Sequence, residues 1–552
     1  MTDRRRAVLA AGVVGATALV VAGLPGAAGG GPSQASGGTL RIVTPGVDID
    51  HVDPALAYHG NSWMLELATC SKLYGYPDRP LPAGGRLLPE VAAALPRLSR
   101  DGRTATIELR RTFRFHTGAP ITAANFAAAL NRLANPKMQS PAASYLTEIV
   151  GASAVLAGRA TSISGVEELG RYTLRIRLRE PLGDLAARLS MPFFCPIAAT
   201  MPVTPDGVDT PLGSGPFYVA SRVRGRQIVL ERNRFYRGPR KANVARVVVS
   251  VGGGVEACRR TVDSNEADYC LAGLTGEVAR DFAGRYGVNR PNGRLFFTAS
   301  PTTFYFAFNH DRRAFKSVAQ IPLKQAINWA IDRPALVRAG GYLSSRRSDQ
   351  ILPPQLTRPA RLYPLEGVTP KSLAQARALL RKARFKPARL VLYTASLGSF
   401  PVRAQIFQFN LRRIGIEVDI RYFSGPTLLE RVERRGEPFD VVLNAWGTDY
   451  LDAASFFVPL LDGNRLSSTR RNQNVAYFDR PKYNREIARI NRLQGNARRR
   501  AWAALDEEMM RNDPPWAPFG HLGTAVFVSE DLGCVTFDPV NTRLNIVAAC
   551  KK

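Results

Sequence analysis

The most legible hydrophobic pattern in the chain runs from residue 389 to 445. "RLVLYTA" reads as a strand, and "PVRAQIFQFNLRRI" as a helix opened by Pro401 and closed by Gly415. "IEVDIRYF" is a second strand, "PTLLERVERRG" a second helix with the same Pro and Gly punctuation, and "FDVVLNAW" a third strand. This alternation predicts an α/β fold with a doubly wound, mostly parallel sheet. Such sheets hold ligands beyond the carboxyl ends of their strands. The third strand runs directly into "GTDYLDAASF", which places Asp449 a few residues past such an end.

Other segments are shorter. "GGTLRIVTP" opens the folded part as a strand. "LPRLSRDGRTATIELRRTFRFHTGAPITAANFAAALNRLANP" reads as strand, Asp–Gly turn, strand, loop and helix. That helix starts near Thr122, a good N-cap, with Phe126, Leu130 and Leu133 on one face. "RYTLRIRLRE" alternates as a strand, and "SGPFYVASRVRGRQIVLERN" is a hairpin around "RGR".

The N-terminus has a different pattern. Arg4, Arg5 and Arg6 precede the apolar run "AVLAAGVVGATALVVAGLPGAAGG", whose later part is rich in small residues. This is the layout of a cleaved export signal, with "RRAVL" fitting a loose twin-arginine type. An uncleaved membrane anchor is the alternative, since the run is about long enough to span a bilayer. No cysteine lies near the cleavage zone, so the usual bacterial lipid-anchor site is missing. The expected location is the periplasm or the outer face of the cytoplasmic membrane.

The length of 552 residues exceeds one ordinary core and implies two or three compact units. Composition is ordinary for a globular protein, with 45% hydrophobic and 22% charged residues. The formal net charge of +30 is not. It fits either an anionic partner or an arginine-rich solvated surface. The basic residues are scattered, which favours the surface and gives no reason to expect nucleic acid.

Six cysteines in an exported chain permit disulfides. The nearest pairings to try are Cys258 with Cys270 and Cys534 with Cys550, against an alternative of buried free thiols. No CxxC or HExxH spacing is present, and the five histidines do not cluster; only His51 and His59 are close. No metal or other cofactor is therefore expected. There is also no Walker A loop or GxSxG elbow. Asp449 and Asp452 are the one candidate acid pair. The expectation is a protein that is not an enzyme.

A set of matches in order then carries a resemblance. These are "GGTLRI" with "VDP" at 52–54, "DGRTATIELRRTFRFHTGAPITAANF", "LGSGPFYV" with "IVLERNRFYRG", "FYFAFNHDRRAF", "LKQAINWAIDRPALV" and "AWGTDYLDAASF". From about residue 38 onward the chain resembles the bacterial extracellular solute-binding proteins of family 5, the oligopeptide- and dipeptide-binding type of ABC importers. It departs from the pattern at Ala124 and Asn125, where acidic residues are usual, at Lys324 in place of Arg, and at Ala453 in place of Pro.

The resemblance implies a periplasmic-binding-protein-like fold of type II, in its large three-subdomain variant. Two lobes are joined by crossing hinge strands. Residues 1–37 would be signal and linker. Lobe I would comprise 38–74, 195–298 and 512–552, with 75–194 an extra subdomain packed on it and 299–511 forming lobe II. Gly213, Gly215, Pro216, Asn309, Asp332 and Arg333 fall on the family's structural motifs. The ligand site would combine Asp449, facing a peptide's α-ammonium, with Trp446 packing on the solute, and with Gly447, Thr448, Tyr450, Tyr58 and Asn61 nearby. A buried ammonium needs a carboxylate partner, and a flat aromatic beside it tolerates varied side chains. The bland alternative makes Trp446 core packing and Asp449 the cap of the helix at "AASFFVPLL".

The expected function is capture of peptides in a closing cleft and delivery to an ABC permease, by a protein acting as a monomer. One alternative is the same fold holding an oligosaccharide, a metal chelate or an opine-like compound. A second is an extracytoplasmic hydrolase using Asp449 and Asp452.

Overall fold

The computed structural model describes residues 37–46, 49–358, 360–468 and 471–552. The expected export segment, residues 1–37, lies outside the described residues except for Gly37. Three sheets organise the rest.

The first sheet has five strands in the order 269–270, 39–44, 246–251, 227–232 and 217–223. Strand Thr39–Thr44 pairs in parallel with Arg246–Val251 and with Tyr269–Cys270, and the hairpin strands Phe217–Val223 and Gln227–Arg232 continue it antiparallel. Leu40, Ile42, Val247 and Val249 point to one buried face, where they meet Met64, Leu65 and Ala68 of the helix Gly60–Thr69. A period of two puts alternate residues on one face, so the apolar set is buried together.

The second sheet has six strands in the order 345–347, 516–527, 295–308, 441–447, 389–395 and 417–423. Strand Arg389–Ala395 lies parallel to both Glu417–Phe423 and Val441–Gly447. The helices Phe400–Arg412 and Gly425–Val432 supply the crossovers, so the doubly wound unit of 389–445 is present. The expectation of mostly parallel sheets needs correction, because both large sheets are mixed. Two long strands, Leu295–Phe308 and Trp516–Phe527, enter the second sheet antiparallel to each other, and Val441–Gly447 runs antiparallel to the first of them. Their pairing breaks register between Ala299 and Thr303. An isolated bridge from Tyr269 to Val528 ties the far end of this pair to the first sheet. The second sheet is buried on both faces. Phe304, Phe306 and Phe308 enter one core, and Tyr305 and Ala307 enter the other with Trp502 and Trp516.

The third sheet is antiparallel, in the order 97–98, 104–108, 173–177 and 166–170. Helix Ala123–Ala134 covers it with Phe126, Leu130 and Leu133. At its start Asn125 Oδ1 accepts from the Thr122 N–H (2.8 Å) and hydroxyl (3.1 Å). Asn125 thus takes the reciprocal capping role that an acidic residue at N3 usually has.

The motif residues hold backbone together. Gly213 packs where a Cβ would lie 2.5 Å from the Tyr218 Cβ. The Gly215 N–H donates to Thr69 O (2.8 Å), and a Cβ there would strike the backbone of residues 68–70. Pro216 O accepts the Asn233 N–H (2.8 Å). Asn309 Oδ1 accepts from Asp311 N, and its Nδ2 donates to Phe439 O. Asp332 caps helix Arg333–Arg338 by accepting from Ala335 N (3.0 Å). The fully buried Arg333 guanidinium donates to the carbonyls of Ser348, Pro518 and Asn328. Lys324 is also buried and forms an ion pair with Asp513.

Three disulfides are present. Cys258–Cys270 and Cys534–Cys550 close short loops, and Cys70–Cys195 closes one of 125 residues. The last pairing spans too much sequence to be suggested by spacing.

Candidate functional site

The strand Val441–Gly447 ends the doubly wound unit, and the chain leaves it as the loop Thr448–Ala453. Two interactions fix the exit. The Thr448 N–H donates to Pro301 O (3.0 Å), and Thr448 Oγ1 bonds Ser455 Oγ (2.5 Å). The loop is closed at its other end by Asp452. Its Oδ1 accepts the N–H of Ala454 (2.8 Å), the first residue of helix Ala454–Leu461. Both Asp452 oxygens are held by Arg498, from Nε (2.9 Å) and Nη2 (2.8 Å). Asp452 therefore holds the start of this helix from the residue before its N-cap, Ala453, and is a structural ion-pair partner.

This arrangement leaves Asp449 with a different role. Its carboxylate is 8% exposed and accepts two tyrosine hydroxyls, Tyr145 on Oδ2 (2.5 Å) and Tyr58 on Oδ1 (3.2 Å). No lysine, arginine or histidine forms an ion pair with it among the described residues. Burial pushes its pKa up to about 6, against the lowering effect of the two hydroxyls. The same burial and the adjacent carboxylate raise both tyrosines well above their ordinary value. A desolvated carboxylate held only by neutral donors has no opposite charge beside it, which is costly for the ionised form.

Tyr58 reaches the site from a turn braced by Asp50, whose Oδ2 accepts the N–H groups of Tyr58 (2.8 Å) and His59 (3.1 Å). Its ring leans on Trp63 and Phe193, with centroids 6.0 and 5.7 Å away. Asn61 follows, buried in the first turn of helix Gly60–Thr69. Trp446 is half-buried at the end of its strand, packs on the core behind it and donates from Nε1 to Ser455 O (3.0 Å). Gly447 is exposed and pairs with Thr302.

Tyr450 packs edge-on against the Tyr145 ring, with centroids 6.4 Å apart, but its hydroxyl points away from Asp449. It is buried in the core of the third sheet, and its hydroxyl donates to Asp184 (2.6 Å). Asp184 in turn pairs with Arg188 (3.2 Å), Arg188 with Glu148 (2.9 Å), and Glu148 with Arg465. Thr448 and Tyr450 therefore hold the loop, while Asp449, Tyr58 and Tyr145 form its polar centre. Tyr145 sits in the unremarkable stretch "SPAASYLTE", and no pattern in it signals a site. His51 and His59 belong to no metal-binding group; among the described residues no cluster of three or more His, Cys, Asp or Glu is placed to hold an ion.

Among the described residues no helix is long and apolar enough to cross a membrane. The chain is 23% identical over 458 residues to the periplasmic murein peptide-binding protein MppA of Escherichia coli K12, covering 79% of each chain. It is 24% identical over 457 residues to the periplasmic oligopeptide-binding protein OppA of Salmonella typhimurium LT2, covering 79% of this chain and 80% of the relative. Its structure superposes on clavulanic acid biosynthesis oligopeptide binding protein 2 with a TM-score of 0.84 at 25% identity, over 94% of this chain and 96% of that one. The fold is that of the type II periplasmic binding proteins. The model of the bacterial extracellular solute-binding proteins, family 5 (middle), matches residues 86–468, more than half of the sequence, and the chain belongs to that family.

Proposed function

We propose that this protein captures peptides outside the cytoplasmic membrane and delivers them to the permease of an ABC importer. The observation that carries this reading is Asp449. It is a buried carboxylate past a strand end, held by two neutral hydroxyls. A peptide's α-ammonium supplies the missing charge, because an ionised pair is stable in such a site where a lone ion is not. Trp446 borders the same strand end and offers a flat apolar surface. Extended backbone can be held by main-chain hydrogen bonds that do not depend on sequence.

The reading includes the two-lobe division. Residues 38–74, 195–298 and 512–552 act as one lobe with 75–194 attached, and 299–511 as the other. The strands around Ala299–Thr303, where pairing changes register, act as the hinge. Tyr58 and Tyr145 already hold Asp449 before the solute enters. The export segment of residues 1–37 takes the protein to its site of action, where it works as a monomer without a cofactor and without catalysis.

Mass spectrometry of small molecules released from the purified, denatured protein tests this directly. Recovery of short peptides is expected. Recovery of a non-peptide solute that restores saturable binding to the emptied protein would overturn the reading.

A further inference from the structure

A cavity of about 1160 Å³ lies apart from the Asp449 loop. Its wall comes from residues 64–110, 239–243, 289–296 and 532–548, and none comes from 297–531. Tyr76 is the point of contact between the two. It lines the cavity, and its hydroxyl accepts the Leu451 N–H (3.0 Å).

The cavity is charged in a graded way. Inside, buried Lys72 pairs with Glu90 (3.6 Å) and Arg240 pairs with Asp78 (3.1 Å). Glu90 uses only one oxygen for hydrogen bonding. Its Oε2 accepts the Lys72 N–H (3.1 Å), while buried Oε1 has no hydrogen-bond partner and only a distant charge contact with Arg240 (3.9 Å). Thr536 Oγ1, in the same wall, is also buried without a partner. Neither atom opens onto the cavity, so the contacts open to a ligand are those at the rim. At the rim stand Arg79, Arg86, Arg110, Lys241 and Arg290, all exposed, and none forms an ion pair with another described residue. No exposed carboxylate shares the wall with them. A cleft rimmed by one sign of charge focuses its field on ions of the other sign.

We propose that this cavity is a second solute site, separate from the peptide site, for a small organic anion that carries a phosphate or carboxylate. Its phosphate or carboxylate end rests on the arginine rim. Arginine suits this end because its planar fork matches such anions. The volume of about 1160 Å³ is somewhat above the usual range of small-molecule sites, roughly 300–1,000 Å³, and leaves room for a sugar phosphate with water around it. The inference does not depend on what Asp449 binds.

Calorimetric titration at low salt with glucose 6-phosphate, glycerol 3-phosphate, citrate and gluconate, one at a time, tests it. At least one of the four is expected to bind saturably. The double substitution Arg79→Ala/Arg86→Ala should weaken that binding at least tenfold, and Lys241→Ala/Arg290→Ala should do the same from other parts of the rim. All four side chains are exposed, and unchanged thermal unfolding of either variant shows that the fold is kept. Asp449→Asn should leave the binding unaltered. The proposal is overturned if none of the four anions binds saturably, in which case the cavity holds water. It is equally overturned if binding survives both rim variants, or disappears with Asp449→Asn.

Discussion

The hydroxyl of Tyr145 donates to Asp449 Oδ2 at 2.5 Å, joining two side chains 304 positions apart in the chain. Tyr145 comes from the region around the third sheet, and Asp449 from the loop past the second. The contact closes the polar centre of the site with a neutral group. A hydroxyl can hold a carboxylate in place, but it does not cancel the charge. An incoming ammonium does both, and hydrogen bonds with ionised partners on both sides are the stronger kind.

Asp449→Asn removes the charge and keeps the shape. Breaking a buried ion pair costs about 3–5 kcal/mol, and each 1.4 kcal/mol is about tenfold in affinity. The expected loss of peptide affinity is thus about two to three orders of magnitude by calorimetry. An N-acetylated peptide has no ammonium, so it should bind the wild type poorly and lose little more in the variant. Equal binding of free and acetylated peptide by the wild type would remove the anchor role.

Peptide binding should depend on pH through Asp449. Its pKa in the empty protein is raised by burial to about 6, and an ammonium partner lowers it again. Binding therefore releases a proton at acidic pH, and affinity should fall by up to about tenfold per pH unit below pH 6. Asp449→Asn should flatten this profile. In the empty protein the sign is opposite. The stability contributed by protonated Asp449 is fully present below pH 3.8 and is lost as pH rises through about 6. Tyr145→Phe removes a hydroxyl that lowers this pKa, so the binding midpoint should move upward.

Arg498→Ala should destabilise the whole protein. The guanidinium holds both oxygens of Asp452 and also donates to the carbonyls of Ile490 and Asn491. Its side chain is 3% exposed, so truncation leaves the Asp452 carboxylate, held otherwise only by the Ala454 N–H, without its cationic partner. The expected loss is about 3–5 kcal/mol in denaturant unfolding. Asp452→Asn should weaken peptide binding much less than Asp449→Asn.

Removing disulfides should reveal their loop lengths. Replacing Cys258 and Cys270 by Ala opens a loop with a sequence separation of 12, and chain entropy gives about 3 kcal/mol for it. The Cys70–Cys195 separation of 125 gives about 5 kcal/mol. Chemical unfolding of the two double variants should rank them in that order. The reverse order would show that native packing, rather than the unfolded chain, sets the effect.

Local periodicity determined much of this protein. The strands and helices of 389–445, the hairpin at 217–232 and the helix after Thr122 all follow from apolar spacing and from Pro, Gly and Thr at their ends. Those signals are short-range, so neighbouring residues carry them in full. The position of Asp449 past a strand end follows in the same way. What surrounds Asp449 does not. Tyr145 and Tyr58 arrive from 304 and 391 positions away, and nothing in either local stretch specifies the meeting. The same limit explains Tyr450. Its place beside Asp449 in the sequence suggested a ligand contact, but successive loop residues can point in different directions, and the third sheet's core took it. The antiparallel entry of the two long strands, the Cys70–Cys195 bridge and the cationic rim of the cavity beside Lys72 and Glu90 are likewise products of chain return. Contacts between distant segments depend on how whole elements pack, and only the folded chain fixes that packing.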